Sequence, residues 1–222
     1  MDWTAFSLSV KLAACTAAIL LPVGIFIGRL FAWREFVGKS LFEAAFALPL
    51  VLPPTVLGYY LLVGMGGAST LGRWAEATFG QSLVFSFSGL LIASLIFNLP
   101  FAIQPIQRAL ESIPVNVRHA AACCGLSWWR TLWRIELPLA WPGIVSSLVM
   151  TFAHTLGEFG VVLMVGGSIP GETKTIAISI YDRVQAFDTA AAGQMSAVLL
   201  LLSLGAISIS YYATNRFKRH HA

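Results

Sequence analysis

The chain has 222 residues, 57% of them apolar and 11% charged, with a formal net charge of +4, whereas soluble domains carry roughly 45–50% apolar and about 25% charged residues. That balance excludes an ordinary soluble enzyme. The basic surplus does not point to nucleic acid either, because the fourteen Lys and Arg are scattered between apolar runs rather than gathered on one face.

The ten acidic residues stand far apart and leave long uncharged runs, Leu12 to Gly28, Ala44 to Gly72, Ala77 to Gln107, Leu137 to Gly157 and Thr189 to Asn215. Each is near the ~20 residues that a helix rising ~1.5 Å per residue needs to cross ~30 Å of hydrocarbon. The sequence therefore predicts an all-α, polytopic membrane protein with about five transmembrane helices, over Phe6 to Leu30, Leu41 to Val63, Val84 to Ala109, Leu139 to Val165 and Ala190 to Ala213. Residues 1–222 read as a single transmembrane domain with a cytoplasmic loop at 111–138. Met-Asp-Trp at the start is not basic and the first apolar run is long enough to span, so that run is expected to stay as the first helix rather than be cleaved.

Orientation follows from the basic residues, which stay cytoplasmic near span ends. Ten of the fourteen fall on one side: Arg29, Arg34 and Lys39 after span one, Arg108, Arg118, Arg130 and Arg134 between spans three and four, and Arg216, Lys218 and Arg219 in the tail. Lys11, Arg73, Lys174 and Arg183 fall on the other, diluted by Glu76, Glu172, Asp182 and Asp188. The N-terminus is thus expected outside and the C-terminus in the cytoplasm. Trp3, Trp33, Trp74, Trp141, Tyr211 and Tyr212 lie near span ends, where amphipathic rings favour the interface, although packing alone also accounts for any one of them.

Span two carries Leu48-Pro-Leu-Val-Leu-Pro-Pro54. Each proline removes an amide donor and disturbs the preceding turn, and carbonyls freed in hydrocarbon must find partners in protein or in a wet cavity. The span is a candidate pore-lining helix, or a kink that only shapes packing. Residues 64–81 and 166–188 are too polar or broken to span and read as outer loops, the first holding a short amphipathic helix.

The loop from Glu111 to Pro138 is the most informative stretch. Pro114 suits a first helical turn, Ala-rich Arg118 to Cys124 favours helix, Gly125 suits a left-handed end cap, and Ser127 starts a second helix stopped near Pro138. Two short helices meeting at a bend and carrying Trp128, Trp129 and Trp133 beside Arg130 and Arg134 fit a protein partner's groove or a membrane surface. Cys15 and the adjacent Cys123 and Cys124 have neither a Cys-x-x-Cys nor a zinc spacing and read as small packing residues.

Ala120-Ala121-x-x-x-Gly125, followed after nine residues by Ile135-x-Leu137-Pro138, resembles the EAA loop of permease subunits from ABC importers. The sequence departs from that pattern at His119, where the family usually has Glu. Glu43-Ala44-Ala45 also spells the motif, but Pro49 stands where the glycine belongs. The chain length, the proline segment of span two, Gly157-Glu158-Phe159-Gly160 and Ile169-Pro170-Gly171-Glu172-Thr173 together resemble the ModB type of molybdate importer permease, with tungstate and sulfate permeases sharing the architecture.

The resemblance implies the type I, MetI-like permease fold and a homodimer in the bacterial or archaeal cytoplasmic membrane. It also implies two ATPase subunits on the cytoplasmic side and a periplasmic or extracellular oxyanion-binding protein. The ATPase-coupling residues it implies are His119, Ala120, Ala121, Gly125, Leu126, Trp129 and Arg130. The chain is expected to be no enzyme, with no cofactor of its own and with ATP and Mg on the partner. Gly38-Lys39-Ser40 mimics the end of a phosphate-binding loop, but Trp33 occupies the place of the required first glycine.

A tetrahedral dianion needs a wet, polar route, since an isolated charge in hydrocarbon costs on the order of tens of kcal/mol. Hydroxyls and amides at helix breaks suit an oxyanion, and a carboxylate repels it. Thr55 beside Pro53 and Pro54, Ser94 and Asn98 in span three, and Ser146, Ser147 and Thr151 in span four are candidate lining groups, each also able to bond its own helix backbone. Glu158, with Phe159 and Gly160, reads as a gate or architectural element near the outer end, or as a side chain that snorkels to the interface. His154, four residues before it, would share its helix face. An enzymatic His/Glu pair lacks an accompanying nucleophile or metal set. A rival reading, an ion-gradient-driven secondary transporter with Glu158 as proton carrier, expects internal inverted repeats, and none is evident.

Overall fold

A computed structural model describes the backbone of residues 1–221 and the side chains of residues 1–212. The tail cations Arg216, Lys218 and Arg219 lie outside the described side chains. Among the described residues the regular structure is helical throughout. Helix α1 (Trp3–Trp33) is long and uncharged over most of its length, and Asp2 caps it by accepting from the Ala5 amide at 3.0 Å. Helix α5 (Phe87–Glu111), capped by Ser86 at the Gly89 amide, packs along α1 and along α9 (Trp141–Gly157), and these three form the centre of the bundle.

Small residues let them approach. A Cβ on Gly24 of α1 would stand 2.6 Å from the Ala102 carbonyl oxygen, and one on Gly143 of α9 would collide with Ala109 and Pro105 of α5. The Ser147 hydroxyl donates to the Ala102 carbonyl at 2.9 Å across the same junction. Close backbones joined by short polar side chains are how helices associate where lipid supplies no hydrophobic drive.

The expected second span is not one helix. Helices α2 (Lys39–Val51) and α3 (Pro54–Met65) meet at 110°. Leu52 and Pro53 are both extended, because each precedes a proline, and neither Pro53 nor Pro54 offers an amide to continue α2. The fourth span also departs from expectation. Helix α9 ends at Gly157, Glu158 is extended, and α10 (Gly160–Gly166) starts anew, packed on α3 and α5. Among the described residues three helices are long and apolar enough to cross a membrane, or up to five if each sharply bent pair counts as one span.

Between these, α4 (Thr70–Phe79) is the short helix expected within 64–81, capped by Ser69 and closed by Gly80 at φ +69°. Helix α11 (Ile176–Gln185) is more embedded than an outer loop helix: Ile176 and Ile178 are buried, and the Ile176 amide donates to Ser9 of α1 at 2.8 Å. Helix α12 (Thr189–His221) lies on α9 and α11 and leaves Leu200, Leu201, Leu204 and Ile209 exposed. All three cysteines are free.

Candidate functional site

The two helix breaks pack against each other. A Cβ on Gly160 would lie 2.8 Å from Pro54 Cβ and 3.6 Å from the Thr55 nitrogen, so Pro54, Thr55 and Gly160, read separately from two motifs, are neighbours. Gly58 of α3 is similarly tight against Met164 of α10. Thr55 is exposed in the first turn of α3, where its hydroxyl adjoins the positive end of the helix dipole. Pro53 is exposed beside it.

Glu158 is buried at the second break, and its carboxylate accepts from the Val161 amide at 3.3 Å, serving the start of α10. His154 approaches it only to 3.9 Å. The imidazole instead pairs with Asn98 Oδ1 at 3.1 Å and packs against the rings of Phe97 and Phe101, while Asn98 donates to the Ser94 carbonyl at 2.8 Å. Phe159 packs on Tyr181, with ring centres 5.0 Å apart. Ser147 and Thr151 do not join this group: both are buried on α9, Ser147 bonded to α5 and the Thr151 hydroxyl without a partner. The Ser146 hydroxyl donates to the Met150 sulfur at 3.7 Å beside a cavity of about 540 Å³ lined by α5, α9 and α12.

At the other end, the loop has the expected bend. Helix α6 (Val115–Cys123) ends at Gly125, φ +70°, with Leu126 N donating to the Ala121 carbonyl at 3.1 Å and Gly125 N to the Ala122 carbonyl at 3.0 Å. That pair of hydrogen bonds closes a helix only where one residue adopts the left-handed region, which favours glycine. Helix α7 (Trp128–Thr131) runs into a π-helical turn (Leu132–Glu136) and α8 (Leu137–Leu139), so the second helix passes through Pro138 before bending 75° into α9. His119, Ala120, Gly125, Trp129 and Arg130 are exposed, Leu126 is half-buried and Ala121 is buried.

The residues that sequence reasoning missed hold this loop to the bundle. Glu136 in the π-helical turn is fully buried and takes two hydrogen bonds from Arg29 at the end of α1, at 2.5 and 3.1 Å. Arg118 of α6 adds an ion pair at 3.4 Å. Arg118 stacks over Trp33 at 4.0 Å and Arg29 over Trp128 at 4.6 Å. One carboxylate thus ties α1, α6 and the π-helical turn together. The available signal was a lone acid between Ile135 and Leu137 in an apolar, membrane-adjacent stretch.

A cavity of about 350 Å³ lies between α2 and α5, where Gln107 donates to both Glu43 and Glu111 at 2.9 Å. Among the described residues no three His, Cys, Asp or Glu are grouped to hold a metal ion.

Residues 21–219 match the family described as binding-protein-dependent transport system inner membrane component. The chain is 41% identical over 217 residues to the molybdenum transport system permease protein ModB of Azotobacter vinelandii, covering 98% of this chain and 96% of that protein. Its fold resembles a bacterial ABC transporter involved in the import of alginate, with a TM-score of 0.71 at 18% identity, covering 95% of this chain and 79% of that one. It also resembles the inward-facing MetNI methionine ABC transporter, with a TM-score of 0.67 at 16% identity, covering 100% of this chain and 94% of that one. The expected MetI-like architecture is the one observed.

Proposed function

This chain belongs to the family of binding-protein-dependent transport system inner membrane components, the permease subunits of ABC importers, and on that premise we propose that it forms the membrane path of an ATP-driven importer for molybdate. Two copies enclose the route, two ATPase subunits carrying Mg and ATP drive it from the cytoplasm, and a periplasmic or extracellular oxyanion-binding protein delivers the ion. The observation that carries this reading is the exposed helix, bend and helix of residues 115–131, standing outside the bundle yet anchored to α1 through Glu136.

A surface with Trp128, Trp129 and Trp133 exposed at a rigid bend fits a groove in a second protein, and motion imposed there passes through the buried ion pairs into α1 and through the π-helical turn into α9. The homodimer is supported by the broken second span. Helix α2 buries only Pro49 within the chain and leaves Leu41, Phe42 and Val51 exposed, a face that a second copy would cover. The junction of Pro54, Thr55 and Gly160 gives that interface a hydroxyl and a helix N-terminus, donors suited to an oxyanion. Glu158 acts there as an architectural residue, starting α10, rather than as an anion ligand. Binding along the route is weak, since a conduit must release what it accepts.

The test is uptake of labelled molybdate into vesicles holding this chain with its ATPase and binding protein, with tungstate and sulfate as competitors. ATP-dependent uptake is expected. In Gly125→Trp, ATP hydrolysis should continue while uptake falls. Gradient-driven uptake by this chain alone, or full uptake in the Gly125→Trp complex, overturns the reading, and labelled molybdate displaced by far less sulfate or tungstate than unlabelled molybdate reassigns the ion.

A further inference from the structure

Between the last turns of α1 and the loop lies a third cavity, an open groove of about 510 Å³ that shares Arg29, Arg118 and Trp128 with the anchor of the loop but no residue with the proposed ion path. One wall is apolar: Phe26, Ile27 and Leu30, with Phe26 and Leu30 nearly half exposed. Its far end is cationic, formed by Arg29, Arg34 and Arg118. Glu136 is the one carboxylate paired with these guanidiniums among the described residues, so two positive charges remain uncompensated. Arg34 is exposed, and its side chain has no hydrogen bond or ion pair among the described residues.

The cations are also held in place. The faces of Trp33 and Trp128 fix Arg118 and Arg29, which presents their free N–H groups without loss of side-chain freedom on binding. Phe26 and Leu30 lie one turn apart on α1, and Arg34, the residue that caps the helix through its amide on the Leu30 carbonyl, follows at the same interval. At ~1.5 Å per residue that series passes from apolar wall to cation over roughly 12 Å, about the passage from acyl chain to headgroup at a bilayer surface. Two tryptophans at the cationic end match the interfacial position such rings prefer.

We propose that this groove binds an anionic phospholipid, its phosphate on Arg34 and Arg118 and its acyl chain along Phe26, Ile27 and Leu30. A phosphate group is the shared chemistry of a lipid headgroup and a free phosphate ion. The apolar wall continuous with the cations assigns the lipid, because a free ion leaves that wall without an occupant. Basic pockets on the cytoplasmic side of membrane helices recognise headgroups in this way. Such a site requires only that the chain lie in a bilayer.

The test reconstitutes the full chain into nanodiscs of equimolar phosphatidylethanolamine and phosphatidylglycerol, each supplied in turn as a photoactivatable analogue, and maps crosslinks to residues 26–34. Preferential labelling by phosphatidylglycerol is expected. It should fall about five-fold in Arg34→Gln, the loss of one cation near the surface, and stay unchanged in Arg73→Gln on α4. Arg34 holds no other part of the fold, and an unaltered melting temperature of the variant shows that the loss is local. Equal labelling by both lipids, or undiminished labelling in Arg34→Gln, overturns the proposal. Excess inorganic phosphate should leave the labelling intact; if phosphate abolishes it, the cations serve a free oxyanion and the lipid assignment fails.

Discussion

Arg29 at the end of α1 grips Glu136 with two guanidinium nitrogens across 107 residues of sequence, and the carboxylate it holds is entirely buried. Removing Arg29 leaves the buried carboxylate with Arg118 alone, 3.4 Å away, and removing Glu136 leaves Arg29 without a carboxylate; breaking such a pair costs about 3–5 kcal/mol, whereas replacing both members with apolar groups is often neutral. Arg29→Leu and Glu136→Leu should each lower the thermal stability of the purified chain strongly, and the double variant should recover much of the loss. A sum of single effects exceeding the double by about 1 kcal/mol or more marks true coupling. Simple additivity in the melting curves would show that the pair is not energetically joined.

The centre of the bundle depends on close backbones rather than large side chains. Gly24→Ala would put a methyl group 2.6 Å from the Ala102 carbonyl oxygen, a backbone atom that cannot step aside without parting α1 from α5. The expected loss is about 1–3 kcal/mol. Gly205→Ala on α12 meets nothing within 4 Å and should gain roughly 0.5–1 kcal/mol from helix propensity. Opposite shifts in melting temperature for the same chemical change check the packing account, and equal shifts would contradict it.

These contrasts also show what the sequence makes legible. Gly125 was readable because its signal is local: an Ala-rich run, then a residue free to adopt φ +70°. The five apolar runs likewise agree with the three to five helical elements among the described residues that are long and apolar enough to span. The break at Pro53 and Pro54 was visible as a disturbance but not as a 110° turn, since prolines within membrane helices often produce only a kink. The break at Glu158 carried no proline, and it arises because an extended residue lets its own carboxylate start the next helix. Ser147 was read as a lining group from its hydroxyl alone; its partner, the Ala102 carbonyl, belongs to another helix. Glu136 went unread for the same reason, because neither periodicity nor spacing encodes an ion pair closed by tertiary packing.

The distribution of basic residues leads to the expectation that the loop of residues 111–138 faces the cytoplasm, and two thiols test that expectation directly. Cys123 and Cys124 are free and exposed at the end of α6, while Cys15 sits half-buried within α1. A membrane-impermeant maleimide should label inverted vesicles and spare right-side-out ones, and the labelling should vanish in Cys123→Ser/Cys124→Ser. Labelling of intact right-side-out vesicles would invert the topology.

Asp2 provides a pH-dependent link at the opposite end of α1. Its carboxylate accepts from the Ala5 amide at 3.0 Å and from the Ser179 hydroxyl of α11 at 2.7 Å. Burial works to raise its pKa, but those two hydrogen bonds and the charges of Lys174 and Arg183 outweigh it and hold the carboxyl below its ordinary value of 3.8. A lowered folded-state pKa means that the unfolded chain binds the proton more readily. The stabilisation is therefore present above pH 3.8 and is lost as acid carries the medium down through the folded-state value. Hydrogen exchange at the start of α1 and in α11 should rise on that acid limb in the native chain. In Asp2→Asn, which has no proton to take up, exchange should be raised at neutral pH and vary less with acid, and an unchanged acid limb in that variant would show that another group governs it.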